Sequence, residues 1–193
     1  LRTRTVQLLP TGRRLPDAVF ERRHRAIVRL ALACAVGLVL LAWVWGYGQP
    51  AAVAVFAAVA GPLAVAVVPG LSRAVHAAAT TFSLMAASVA LVHLWGGVTE
   101  SHFSFFVMIG VVSLYQDWVP FLWNVAFTVL SHGLGTAWLG GAQVFNHPSA
   151  QAHPWLWSFV HGVAVFAACI GVVLFWRITE REQEGHKALL LVN

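Results

Sequence analysis

Six predominantly apolar runs, separated by short turns, constrain this chain more than any other feature. A helix needs about 20 apolar residues to cross the hydrocarbon core of a bilayer, and each run is close to that length. A soluble domain does not have this composition, since 59% of the 193 residues are hydrophobic and only 10% are charged. The sequence therefore predicts an all-α, polytopic membrane protein with six transmembrane helices, at 27–47, 51–68, 74–95, 100–116, 119–139 and 154–176.

The basic residues set the predicted orientation, because Lys and Arg accumulate on the cytoplasmic side of membrane proteins. An even number of spans puts both termini on one side. All twelve Lys and Arg residues then fall on that side, so we expect the N and C termini to be cytoplasmic. The net charge of +5 is interpreted as attraction to the anionic headgroups of the lipid bilayer, and no nucleic-acid partner is expected.

The last apolar run continues into a polar segment with helical character. No helix breaker follows Trp176 until Gly185, so we expect the helix to leave the membrane unbroken and to carry a signal to a cytoplasmic effector domain in a longer chain. Apolar positions on this output helix would allow a parallel homodimer: Ile178, Leu189 and Val192. The predicted domains are a basic segment at 1–26, a six-helix transmembrane domain at 27–176 and the output helix at 177–193.

Most of the histidines are expected to lie at the outer end of the bundle. Four of them belong to four different spans: His93, His102, His132 and His161. Two more lie in the outer loop, His147 and His153, and Glu100 is the one acidic residue that this topology puts on the outer side. Ionisable groups are costly inside a membrane, so by default they face the bundle interior and indicate a function.

Histidines from several helices at similar depth favour a metal site, because neutral imidazole is the commonest ligand of transition metals and facing helices bring ligands together. Mixed His and Glu donors suit Cu, Zn or Fe. Haem b is an alternative cofactor, with His132 and His161 as its axial ligands, each followed by a glycine. A cluster that responds to pH and simple packing at the interface both remain open.

Four stretches carry a family resemblance: HLWGGVTESHFSFF at 93–106, LYQDWVPFLWNVAFTVLSHG at 114–133, VFNHPSAQAHPWLWSFVHG at 144–162 and WRITERE at 176–182. They resemble the six-helix sensor module at the N-terminus of many bacterial, especially actinobacterial, signalling proteins. In those relatives the module is fused to domains for cyclic-di-GMP turnover, to histidine kinases or to chemotaxis-type output domains.

The resemblance implies a sensory input domain of the bacterial inner membrane that has no catalytic activity of its own. It implies that the recurring polar positions of the module are His93, Glu100, His102, His132, His147 and His161. Ser104 and Ser131 stand where relatives often have further histidines, so the resemblance implies a smaller ligand set here.

Two other functional classes are alternatives to a sensor: a membrane enzyme and a transporter or channel. A membrane metallo-oxidoreductase could handle a quinol or oxygen at the histidines, provided that the metal keeps an open coordination position. A transporter or channel would need polar side chains across the whole membrane, and the spans look nearly featureless between the outer histidines and Asp117. The leading hypothesis is therefore a metal-binding sensor that signals through the sixth span.

Overall fold

The computed structural model describes residues 9–12, 15–139 and 144–190, with the side chains at 138–139 and 186–190 left undescribed. All regular structure in these ranges is helical, which confirms the predicted all-α class. The helices are α1 (Asp17–Val44), α2 (Gly48–Ala66), α3 (Arg73–Leu94), α4 (Thr99–Ser113), α5 (Trp118–Leu139), the short α6 (Pro148–Ala152) and α7 (Pro154–Leu190).

Four of these helices are long and apolar enough to cross a membrane, namely α1, α2, α3 and the part of α7 at Pro154–Gly185. Helix α4 has 15 residues and is about 22 Å long, which is shorter than a typical hydrocarbon core of about 30 Å. Helix α5 has 22 residues but includes buried polar side chains such as Asn124. In the described ranges, length and composition thus support four spans, and the six-span topology with cytoplasmic termini stays a prediction.

The turn between α3 and α4 shows how the sequence shapes one end of the bundle. Gly96 and Gly97 have positive φ angles of 63° and 75°, which residues with a side chain rarely adopt. A Cβ atom on Gly97 would lie 2.8 Å from the carbonyl oxygen of Val144. Because Gly97 has no side chain, the segment before α6 can pack directly on this turn. The backbone N–H of Asn146 donates to the carbonyl of Gly97 at 3.1 Å.

Helix α3 lies at the centre and contacts α1, α2, α4 and α5. Small polar side chains are buried on α3 and α5: Thr80, Thr81, Ser83, Ser88, Asn124 and Thr128. Most of their hydroxyls bond to a backbone carbonyl, as Thr128 does with Asn124 at 2.9 Å. Such residues let membrane helices approach closely. The expectation that the spans are nearly featureless below the outer histidines was therefore wrong.

Helix α7 is continuous for 37 residues, or about 55 Å. The predicted unbroken passage beyond Trp176 is confirmed over the described range. The helix packs against α4, α5 and α6 on one side only, and 11% of its most apolar window is buried, compared with 56% for α3. Most of its apolar surface is therefore available to lipid or to another protein.

Candidate functional site

Three of the predicted ligands meet between α4, α5 and α7. The ring centroids of His102 and His161 are 5.2 Å apart, those of His102 and His132 5.3 Å, and those of His132 and His161 5.6 Å. The His102 and His132 side chains are buried and that of His161 is half-buried. We call these three residues the histidine cluster. One turn beyond His132, the hydroxyls of Thr136 and Ser158 lie 3.2 Å apart and also link α5 to α7.

The same hydrogen bond orients each ring of the cluster. Nδ1 lies 3.0 Å from a backbone carbonyl oxygen in His102, 2.8 Å in His132 and 2.8 Å in His161, and each carbonyl belongs to the residue four positions earlier: Val98, Thr128 and Trp157. A carbonyl can only accept, so Nδ1 carries the hydrogen in each ring. In a neutral imidazole this leaves the lone pair on Nε2, the state in which histidine binds metals.

Nε2 of His102 is buried and has no hydrogen-bond partner. The backbone of Val144 approaches this ring without forming a hydrogen bond of ordinary geometry to Nε2. Leaving a buried polar atom unpaired costs about 1–3 kcal/mol. A ligand bound to Nε2 would remove that cost.

Aromatic side chains enclose the cluster. Phe145 stacks on His102 with ring centroids 5.6 Å apart and an interplanar angle of 11°, and its centroid lies 5.4 Å from that of His161. Phe105 meets the edge of the His132 ring at 4.9 Å. No direct sequence signal pointed to Phe145, because its contact depends on how the segment before α6 folds onto the turn at Gly97.

Two cavities border the cluster. A cavity of about 30 Å³ is lined by all three histidines, which is room for a particle of about the size of a water molecule. A pocket of about 270 Å³ is lined by His93, His102 and His132 together with the apolar side chains of Val89, Val92, Phe105 and Val144. A small ligand can therefore fit among the rings, and a larger apolar one can fit beside them.

The spacing of the rings can be compared with a metal centre. An imidazole bound through Nε2 at 2.0–2.1 Å has its centroid about 3.2 Å from the ion, so two such rings at a tetrahedral angle have centroids about 5.2 Å apart. The cluster has this spacing. With its side chains as they stand, however, the described part of the chain contains no group of three His, Cys, Asp or Glu residues arranged to hold a metal ion.

The other three predicted ligands lie outside the cluster. His93 is exposed at the end of α3 and lines the 270 Å³ pocket. Glu100 is exposed in the first turn of α4. His147 is exposed and its ring packs against Trp157, with centroids 5.8 Å apart. The loop residue His153 is exposed as well.

A second group of histidines, which the sequence analysis did not single out, lies at the opposite end of the helices. His24 stacks on Phe20 and on His76 with centroid distances of 5.5 Å each. Its Nε2 lies 3.0 Å from the carbonyl of Ala66, so Nε2 donates and Nδ1 accepts from the Tyr115 hydroxyl at 2.9 Å. Nε2 of His76 lies 3.0 Å from the carbonyl of Val68. These rings thus supply hydrogen-bond donors to carbonyls at and just after the C-terminal end of α2, where the helix itself offers none.

The described N-terminal residues 10–12 dock on α7 at this same end. Glu180, which is 5% exposed, accepts hydrogen bonds from the backbone N–H of Thr11 at 2.7 Å, its hydroxyl at 3.1 Å and the N–H of Gly12 at 3.0 Å. Trp118 donates to the carbonyl of Pro10 at 3.2 Å. We call this contact the N-terminal clamp. No sequence signal predicted it, because the partners are 108 or more positions apart.

Comparison with known proteins gives one informative match. No family model matches the chain, and no solved structure matches it. The chain is 31% identical over 197 aligned positions to the transducer protein Htr8 of Halobacterium salinarum (strain ATCC 29341 / DSM 671 / R1). The match takes in 96% of this chain, which spans 30% of the length of that relative. The chain is therefore similar, over almost all of its length, to one part of a transducer protein.

Proposed function

We propose that this chain is the membrane-embedded sensory part of a signal transducer, and that its histidine cluster binds a transition-metal ion, Cu, Zn or Fe. The similarity to a transducer protein supports the signalling role. One observation carries the metal proposal: three buried or half-buried histidines from three helices share one Nδ1 hydrogen bond that leaves each Nε2 lone pair available.

The Nδ1 contacts are of the kind that orients metal ligands in proteins. A metal-bound histidine nearly always donates its other ring N–H to a carboxylate, a carbonyl or water, which fixes the tautomer and makes the bound nitrogen more basic. Since the ring spacing already matches a metal centre, we infer that small turns of the rings that keep the Nδ1 contacts, rather than movements of the helices, bring the three Nε2 atoms together. The cavity of about 30 Å³ gives them room.

The remaining predicted ligands differ in how well they could complete the coordination. His93 is the best fourth ligand, because it lines the same pocket as His102 and His132. Glu100 and His147 are exposed at this end and are the weaker candidates. A bound ion would supply Lewis acidity or, for Cu and Fe, a change of redox state, and the protein groups would hold it and exclude water.

Helix α7 is the proposed route of the signal. It carries His161 at the cluster and Glu180 at the N-terminal clamp, 19 residues or about 28 Å further along the helix. A change in ligation would shift α7 against α4 and α5, a movement of the kind that switches packed helices between two arrangements. In this proposal α4 and α5 also cross the membrane, both termini are cytoplasmic, and α7 leads to an effector domain.

Pairing of two α7 helices is proposed as the way in which the signalling unit forms a homodimer. Of the three positions predicted for this pairing, Ile178 is exposed, and Leu189 and Val192 lie outside the described side chains. Other exposed apolar residues on this helix include Phe159, Phe166 and Ile170. The sensory part itself is proposed to have no catalytic activity, as the transducer similarity supports.

Haem b, the alternative cofactor, does not suit the observed arrangement. Axial ligands must stand on opposite faces of a porphyrin, but the rings of His132 and His161 are stacked 5.6 Å apart at an angle of 29°. The space that both rings line is about 30 Å³, while pockets for ligands of such size measure about 300–1,000 Å³. The geometry therefore favours a bare ion.

The test is metal analysis of the purified protein in detergent after reconstitution with Cu, Zn and Fe in turn. We expect one of the metals to be retained at one ion per chain, and His132→Ala and His161→Ala each to abolish retention. His153→Ala is the matched control, because His153 belongs to the same end and is exposed outside the cluster. Full metal content in both cluster variants would overturn the proposal.

A further inference from the structure

A cavity of about 550 Å³ lies at the end of the bundle opposite the histidine cluster, between α1, the end of α2 and the start of α3. We propose that it binds an acidic phospholipid, with the phosphate held by Arg25 and Arg29. This inference uses the proposed cytoplasmic position of this end, but it involves neither the histidine cluster nor a metal, so the two proposals can fail separately.

The charges that line the cavity favour a single anion. Three arginines and two carboxylates line it, which leaves an excess of one positive charge, and a phosphodiester carries one negative charge. Arg73 is already engaged, because it donates to Asp17 at 2.7 Å and to the carbonyl of Leu15 at 3.0 Å, and its guanidinium lies 4.1 Å from the centroid of the Phe20 ring.

Arg25 and Arg29 are the cations available to a ligand. Arg25 pairs with Glu21 at 3.5 Å, but both side chains are 62% exposed, and ion pairs of this kind are weak. Arg29 is exposed and forms no ion pair with any residue in the described ranges. The two arginines are one helical turn apart on α1, about 6 Å along its axis, which lets both guanidinium groups reach the same phosphate.

The walls of the cavity favour a lipid over a soluble anion. They include the apolar side chains of Val28, Val67 and Leu71, and Val67 is 58% exposed. His24 contributes to the wall, but both of its ring nitrogens are already hydrogen-bonded, so neither is available to bind the phosphate. Arg25 and Arg29 also flank position 27, where the first apolar run begins, and basic pockets between helices at this depth suit lipid headgroups.

The experiment is native mass spectrometry of the 193-residue protein extracted from bilayers that contain equal amounts of phosphatidylglycerol and phosphatidylcholine. We expect one phosphatidylglycerol per chain to be retained in preference. Arg29→Gln should lower this retention about fivefold, as removal of one basic residue near a membrane surface does. Val67→Trp, which fills the apolar wall without a change of charge, should lower it as well.

Arg22→Gln is the matched control, since Arg22 lies on the same helix, is exposed and is not part of the cavity lining. If Arg22→Gln and Arg29→Gln lose equal amounts of phosphatidylglycerol, the retention reflects general attraction between basic residues and anionic lipid, and the proposal is overturned. Equal retention of both lipids by the wild type would also overturn it. Displacement of the lipid by millimolar glycerol phosphate would overturn the assignment to a lipid. If Arg29→Gln does not fold, Arg29→Lys, which keeps the charge, should fold and retain the lipid.

Discussion

The histidines at the two ends of this helical bundle differ in how their ring nitrogens are used. His24 engages both nitrogens, one with a backbone carbonyl and one with the Tyr115 hydroxyl. His102, His132 and His161 each engage only Nδ1, and Nε2 of His102 is buried without a partner. The first group completes the structure, while the second leaves bonding capacity unused inside a packed site.

The carbonyls that His24 and His76 contact explain this difference. The carbonyl of Ala66 belongs to the last turn of α2 and that of Val68 follows it, and carbonyls at a helix end have no partner within the helix. His24 and His76 supply one. The residues of the histidine cluster instead bond to carbonyls inside or at the start of their own helices. His24 and His76 thus complete the end of α2, whereas the Nε2 atoms of the histidine cluster are left for the proposed ligand.

The largest expected effect is on metal binding, which should depend on the histidine cluster and not on His24 or His76. His102→Ala should weaken metal binding by about 100-fold or more, since it removes one of three ligands, and His76→Ala should leave it unchanged. Isothermal titration with the metal that the wild type retains would measure both. A similar loss in the two variants would mean that the ends do not differ as described.

Removal of the carboxylate at the N-terminal clamp should have the next largest effect. Glu180→Ala abolishes three hydrogen bonds to residues 11 and 12, so the α7 backbone around 176–185 should exchange its amide hydrogens at least about tenfold faster. Hydrogen exchange followed by mass spectrometry would show this, with the segment 52–63 of α2 as the internal control. Unchanged exchange at 176–185 would show that the clamp does not hold α7.

Removal of His24 should reduce stability without affecting metal binding. His24→Ala leaves the Ala66 carbonyl and the Tyr115 hydroxyl without their partner, which should cost about 1–3 kcal/mol of unfolding free energy. In metal-free protein, His161→Ala should cost less, because its ring is half-buried and bonds only within its own helix. Denaturant unfolding in detergent would rank the two, and the reverse order would contradict the comparison.

The smallest expected effect concerns the aromatic cover of the cluster. Phe145→Leu removes the ring that stacks on His102, a contact worth about 0.5–1.5 kcal/mol, so metal affinity should fall about threefold to tenfold. Phe159→Leu is the control, because Phe159 is 69% exposed on α7. Equal affinity in Phe145→Leu and wild type would remove Phe145 from the site.

The sequence predicted the features that depend on local chemistry. Apolar runs and turn glycines were enough to place most of the helices, and the clustering of histidines identified His102, His132 and His161. The sequence analysis missed the features that depend on contacts between residues far apart in the chain. The N-terminal clamp joins Thr11 to Glu180, and the shortness of α4 follows from a turn at 114–117 that apolar composition does not mark.

X-ray absorption at the edge of the retained metal would test the central claim most directly. The account predicts about three imidazole nitrogens at 2.0–2.1 Å in the reconstituted wild-type protein and a loss of imidazole scattering in His132→Ala. Oxygen-only coordination, or a protein that binds none of the three metals after reconstitution, would contradict it.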